Sequence, residues 1–107
     1  MINLLSETTK FLEENGKSLD DVLWIGNRDG KEIISVSDFL MGANRMYDDG
    51  YGLHEVSLGL VIVGNDWWLE RAEYDGSEWW EYKTIPTLSA DSHTAKSAQA
   101  LIWGGEE

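Results

Sequence analysis

The sequence predicts an α+β domain: an antiparallel sheet of about five strands, in the order α-β-β-α-β-β-β-α, with its helices on one face. Three observations lead there. Residues 58–85, LGLVIVGNDWWLERAEYDGSEWWEYKTI, hold strand-like runs separated by turn residues. Residues 3–15 repeat apolar side chains at helical spacing. Val22 to Ser35 carries two further short apolar runs around Asn27-Arg28-Asp29-Gly30.

In the meander, Leu58 to Val63 is a continuous apolar run rich in β-branched residues, ended by Gly64-Asn65-Asp66. Trp67 to Tyr74 follows, then Asp75-Gly76, then Glu78 to Ile85, stopped by Pro86. Asn, Asp and Gly accept the positive φ of tight hairpin turns, and Pro cannot donate to a ladder. Side chains alternate between faces along a strand. The expectation is that even positions pair with even ones. Trp68, Glu70, Ala72, Tyr74, Glu78, Trp80, Tyr82 and Thr84 then share one face, the more aromatic, which is taken as the inner one. The other face carries Trp67, Leu69, Arg71, Glu73, Trp79, Glu81, Lys83 and Ile85, with Trp67 and Trp79 side by side among charges. The expected core is Trp68, Trp80 and Tyr82 with Leu12, Trp24, Phe39, Leu60 and Ile62.

Asn3 is a cap and Gly16 a stop for the first helix, whose stripe of Leu4, Leu5, Thr8, Phe11 and Leu12 is narrow enough to lie on the sheet surface and not at the centre of the core. Ser18-Leu19-Asp20-Asp21 suits a short helical turn. Val22 to Gly26 and Lys31 to Ser35 form a hairpin, whose Asn27, Asp29 and Gly30 lack the ligand series of a calcium loop. A second helix starts from Ser35 or Ser37, with Phe39, Leu40, Ala43, Met46 and Tyr47 on one face. Gly42 in its middle points to a close neighbour. Residues 86–107 extend the 1–85 core of a single domain. They hold a short helix within Asp91 to Ile102, and Trp103 is expected to fold back onto the domain.

Composition narrows the function classes. Twenty acidic against eight basic residues give a net charge of −12. Between Asp48 and Glu81 stand nine acids (Asp48, Asp49, Glu55, Asp66, Glu70, Glu73, Asp75, Glu78, Glu81) and one base, Arg71. Direct nucleic-acid binding runs on Lys and Arg contacts and is not expected. A basic protein partner, itself nucleic-acid-binding, is favoured by electrostatic steering. No run of about 18 apolar residues is present, so no membrane helix is expected. The N-terminal MINLLSETTK lacks the pattern of a signal peptide. Cysteine is absent, which excludes disulfides, thiolate catalysis and Cys-based zinc sites and agrees with a cytoplasmic location.

Catalysis has little to build on. The two histidines are His54 and His93, and Ser89, Asp91 and His93 crowd into one soft segment where a working triad needs rigid supports. Glu70 and Glu81 beside tryptophans have the residue types of glycoside chemistry. No phosphate loop, dinucleotide fingerprint or metal-ligand spacing is present, so no catalytic residue, metal or cofactor is expected. The loop Tyr47-Asp48-Asp49-Gly50-Tyr51-Gly52 gathers acids and phenols. The expected function is a non-enzymatic acidic interaction module binding through Trp67, Trp79, Asp48, Asp49, Tyr51, Glu73 and Glu81. Two alternatives are a small-ligand or carbohydrate binder stacking on Trp67 and Trp79, and a structural or oligomerising protein.

The run DDGYG…LVIVGNDWWLERAEYDGSEWWEYKTIP resembles a type of small protein encoded by phages and prophages of Gram-positive bacteria, over residues 22–86. The resemblance implies a phage-associated protein and carries no established activity. Small size, strong acidity and lack of cysteine are also similar to phage-encoded inhibitors, including anti-CRISPR proteins that occupy nucleic-acid grooves. That second likeness implies inhibition of a basic nucleic-acid-binding protein.

Overall fold

The computed structural model describes residues 1–50 and 55–104. Helix α1 (Leu4–Glu14) starts where the Asn3 side chain accepts the Ser6 N–H, and Gly16, at φ +72°, follows its end in the left-handed conformation. Thr8 and Leu12, one turn apart, are fully buried. The narrow stripe is therefore pressed into the core itself, which corrects the expectation that it only covers the sheet surface. Just before α1, strand β1 (Ile2–Asn3) pairs with β4 (Met46–Tyr47). Those two residues thus belong to a strand and not to the second helix. Helix α2 (Val36–Gly42), capped by the Ser35 hydroxyl, stops at Gly42. A side chain there would meet nothing within 4 Å, so the expected close neighbour is not found.

The main sheet has five antiparallel strands in the order β3 (Ile33–Ile34), β2 (Trp24–Asn27), β5 (Leu60–Val63), β6 (Trp67–Tyr74) and β7 (Ser77–Thr84). A single 3-10 turn, Leu19–Asp21, leads into β2 and is held by the Asp21 carboxylate on the Ser18 N–H. With α1 and α2 on one face, the predicted α+β architecture is the one observed.

The turn between β6 and β7 decides which tryptophan goes inside. Asp75 at φ +52° and Gly76 at φ +85° form a two-residue turn with both φ values positive, as in type I′. Such a turn opposes Tyr74 to Ser77, so facing residues differ in parity: Trp67 with Thr84, Leu69 with Tyr82, Arg71 with Trp80, Ala72 with Trp79. The even-with-even expectation is therefore corrected. Odd positions of β6 and even positions of β7 share the face under the helices. Trp67, Leu69, Arg71, Glu78 and Trp80 are buried there, while Trp68 is half-buried on the opposite face.

One cluster of Leu12, Ile25, Phe39, Ala43, Ile62, Trp67, Leu69 and Trp80 forms the core. Leu60 and Tyr82, expected to be largely buried, pack against it but are only half-buried. Trp24 lies on the far face with Trp68, half-buried. The Trp67 indole rests on Gly64, where any Cβ would collide with the ring, and it stacks on Tyr82 with centroids 6.0 Å apart. The C-terminal helix α3 (Ala98–Trp103) is capped by Ser97 and Gly104, yet Trp103 is 75% exposed and does not fold back. None of its residues is buried. Among the described residues no helix is long and apolar enough to cross a membrane.

Trp80→Ala should cost about 3–5 kcal/mol in urea unfolding, because it removes a buried indole from the core. Trp79→Ala, on the other side of the same strand, should cost under about 1 kcal/mol. Equal losses at the two positions would contradict this assignment of faces.

Candidate functional site

Arg71 sits at the middle of the buried face of β6. Its Nη2 donates to the Tyr47 hydroxyl at 3.0 Å and to Glu78 Oε1 at 3.1 Å, and its Nη1 meets Glu7 Oε2 at 3.5 Å. The Tyr47 hydroxyl donates in turn to Glu7 Oε1. The guanidinium lies over the Trp80 ring at 4.8 Å, a cation–π arrangement. The Glu78 carboxylate also accepts the N–H groups of Glu55 (2.7 Å) and Val56 (3.1 Å). Both side chains of the Arg71–Glu78 pair are wholly out of solvent. Beside them the Trp80 indole N–H donates to the Thr8 hydroxyl, which donates to the Leu4 carbonyl. Burial raises the Tyr47 phenol pKa well above its usual value; its hydrogen bond to Glu7 adds to the shift and Arg71 opposes it.

This cluster is structural, but it shapes the surface. The single base between Asp48 and Glu81 is spent inside. Removing its partner Glu78 from the nine acids leaves eight carboxylates in that stretch, with no cation among them.

The opposite face of the sheet is not covered by α1 or α2, whose contacts lie on the core side. Register places Trp24, Val63, Trp68 and Lys83 in one row across it, and Ile33, Gly26, Val61, Glu70 and Glu81 in the next. Trp79, 37% exposed, follows opposite Ala72. Each of the two hairpin tryptophans on this face, Trp68 and Trp79, is tied to the carboxylate two residues along its own strand. Trp68 Nε1 donates to Glu70 Oε1 at 2.7 Å and Trp79 Nε1 to Glu81 Oε2 at 3.3 Å. Lys83 Nζ stands 3.5 Å from Glu81 Oε1. Aromatic rings beside carboxylates attract cationic groups, arginine above all, through ring quadrupole and charge together.

The residues expected to bind a partner are divided by the fold. Trp67 is 2% exposed and belongs to the core; Trp79 and Glu81 lie on the open face. The two rings are on opposite sides of the sheet, so the expected Trp67–Trp79 pair is corrected. Glu73 is exposed near the hairpin tip but faces Glu78, on the side of the sheet opposite Trp79 and Glu81, so its expected grouping with them is corrected. Asp48 and Asp49 are half-buried, and the Asp49 backbone braces the start of β7. The Asp48 N–H donates to Glu55 Oε2, its carboxylate accepts the Gly50 N–H, and the Asp49 carbonyl accepts the Glu78 N–H. Tyr51 and His54 fall outside the described residues. Trp24, Trp68 and Glu70 were missed by sequence reasoning. The signal that finds Trp68 and Glu70 was present: a two-residue Asp75-Gly76 turn opposes residues of unlike parity.

The histidine candidate does not assemble. The Asp91 N–H donates to the Ser89 hydroxyl and His93 Nδ1 lies 3.3 Å from the Asp91 carbonyl, which is local turn bonding in an exposed stretch. Glu70 and Glu81 oppose each other on the open sheet, each engaged with its own indole. Among the described residues no group of three or more His, Asp or Glu is gathered closely enough to hold a metal ion. Comparison with protein-family models, with curated proteins and with solved structures gives no match.

Glu78→Ala should destabilise the protein by about 3–5 kcal/mol, since it leaves Arg71 buried without its counter-charge. The double variant Arg71→Met/Glu78→Leu should lose less than either single change, measured by urea unfolding. Tyr47 adds a pH dependence. Its native pKa lies above the unfolded value of 10.0, so its contribution is complete below that pH and is lost as pH rises through the native value. Tyr47→Phe should remove this part of the alkaline loss. An unchanged difference between parent and variant from about pH 9 to pH 11 would contradict it.

Proposed function

We propose that the protein is a non-enzymatic interaction module, acting in the cytoplasm, that binds a basic partner protein through the open face of its sheet. The observation that carries this reading is the grouping of Trp68, Trp79, Glu70 and Glu81 on a face that α1 and α2 leave uncovered. Lys83 on this face is already paired with Glu81, and the net charge of −12 keeps the surrounding field negative. Acids of this kind set the rate of encounter and the choice of partner, while desolvated rings set residence time. A nucleic-acid-binding protein is the partner class of this reading, and an inhibitor that covers its phosphate-binding surface is the role. A carbohydrate platform built on Trp67 and Trp79 is set aside, because those rings do not share a face.

Binding of an Arg- and Lys-rich peptide, followed by tryptophan fluorescence, tests the surface. Affinity should fall steeply as salt is raised. Glu70→Lys and Glu81→Lys should slow association, and Trp79→Ala should speed dissociation, each with an unchanged circular dichroism spectrum. Parent-like binding by all three variants, or binding indifferent to salt, would sink the proposal.

A further inference from the structure

Strand β7 is an outer strand of the sheet and runs for eight residues, where the opposite outer strand β3 has two. The Ile85 N–H donates to the Asp66 carbonyl, and the Glu78 N–H to the Asp49 carbonyl. Backbone groups alternate sides along an antiparallel strand. Odd positions of β7 therefore bond to β6, and Trp80, Tyr82 and Thr84 direct their N–H and C=O groups away from the sheet. Among the described residues, none of these three N–H groups donates to a backbone carbonyl of another segment. A long unpaired edge is a template for a further strand.

We propose that this edge pairs antiparallel with the same edge of a second copy of the chain, centred on Tyr82. In that register Tyr82 faces Tyr82 of the second copy, and Trp80 faces Thr84. These positions point outward, so each pair can exchange its backbone bonds. Between them Glu81 falls opposite Lys83, twice by symmetry, and Trp79 opposite Ile85, which is 59% exposed in the single chain. All four of these side chains lie on the open face, at sites where facing Cα atoms are about 4.5 Å apart. Sliding one copy by two residues either way sets Glu81 against Glu81 or Lys83 against Lys83, and like charges directly opposed are destabilising. The stretch Trp79 to Ile85 carries one acid and one base, in a chain whose net charge is −12. It is a place where two copies can meet without added repulsion. The ladder also limits itself. The next pair would join Glu78 to Pro86, but the Glu78 N–H is held by Asp49 and Pro86 has none to offer.

The full chain, at about 150 mM salt to screen the long-range repulsion, should show twice its 12.1 kDa mass by sedimentation equilibrium. Lys83→Glu and Glu81→Lys should each be monomeric alone and should form a heterodimer when mixed, because the swapped charges again face opposite partners. Register is read by cross-linking in a chain with no cysteine of its own. Glu81→Cys mixed with Lys83→Cys should give a disulfide-linked dimer on mild oxidation, and neither should link to itself. A monomeric mass from micromolar to millimolar concentration would overturn the proposal. So would Glu81→Cys linking to its own kind, or single charge variants that dimerise like the parent.

Discussion

Arg71 and Glu78 lie diagonally across the β6–β7 hairpin with both side chains out of solvent, and α1, β4 and the chain at Glu55–Val56 are each bonded to one or the other. Taking two charges out of water costs several kcal/mol per ion, and close geometry with added hydrogen bonds is needed to offset it. Here Glu7 brings α1 to the guanidinium, Tyr47 brings β4, and the Glu78 carboxylate gathers the chain at Glu55 and Val56. A one-residue slip of the hairpin would turn Arg71 to the other face and strand Glu78 without a cation. The pair thus ties strand register to helix placement.

Burying the only base in an acidic stretch also has an effect at long range. The stretch from Asp48 to Glu81 keeps no base of its own for its surface acids, because its one cation is committed to the interior; Glu81 is met from outside the stretch, by Lys83. The outer field of the hairpin is therefore of one sign until Lys83. The same hairpin carries rings on both faces with different duties. Trp67 and Trp80 complete the core, held by Gly64, Tyr82 and Thr8. Trp68 and Trp79 stay on the outside, each indole satisfied by a carboxylate of its own strand.

The sheet meets its surroundings unevenly. Helices cover one face, the Asp49 carbonyl braces the start of β7, and along the remainder of that edge no backbone carbonyl of another described segment accepts the outward N–H groups. Natural sheets blunt such edges with charge, proline or cover. Here Pro86 stops the strand, while Glu81 and Lys83 lie on its open side with opposite signs. A lone lysine would repel an approaching copy; an acid and a base two residues apart do not.

Elements whose signals are local were legible in the sequence. The Asn3 cap, the Gly16 stop, the Gly30 turn, the Asp75-Gly76 hairpin and the span Trp67–Tyr74 depend on φ preference and hydrogen bonding within a few residues. The acidity of the hairpin and the class α+β follow from the same kind of reading. The assignment of faces was legible in principle and failed on one step, the parity that a two-residue turn imposes on the opposing strand. That error exchanged Trp67 for Trp68 in the candidate site. Other features are decided only by contact between distant parts of the chain. Met46 and Tyr47 leave a helical pattern because Ile2 and Asn3 offer them a strand partner some forty residues away, as the pairing of Ile2 with Tyr47 shows. Arg71 reads as a solvent charge in any local window; it is buried because Glu7, Tyr47 and Glu78 converge on it from three other elements. No spacing rule within the sequence encodes that convergence, since its free energy exists only once the tertiary structure has excluded water from all of them.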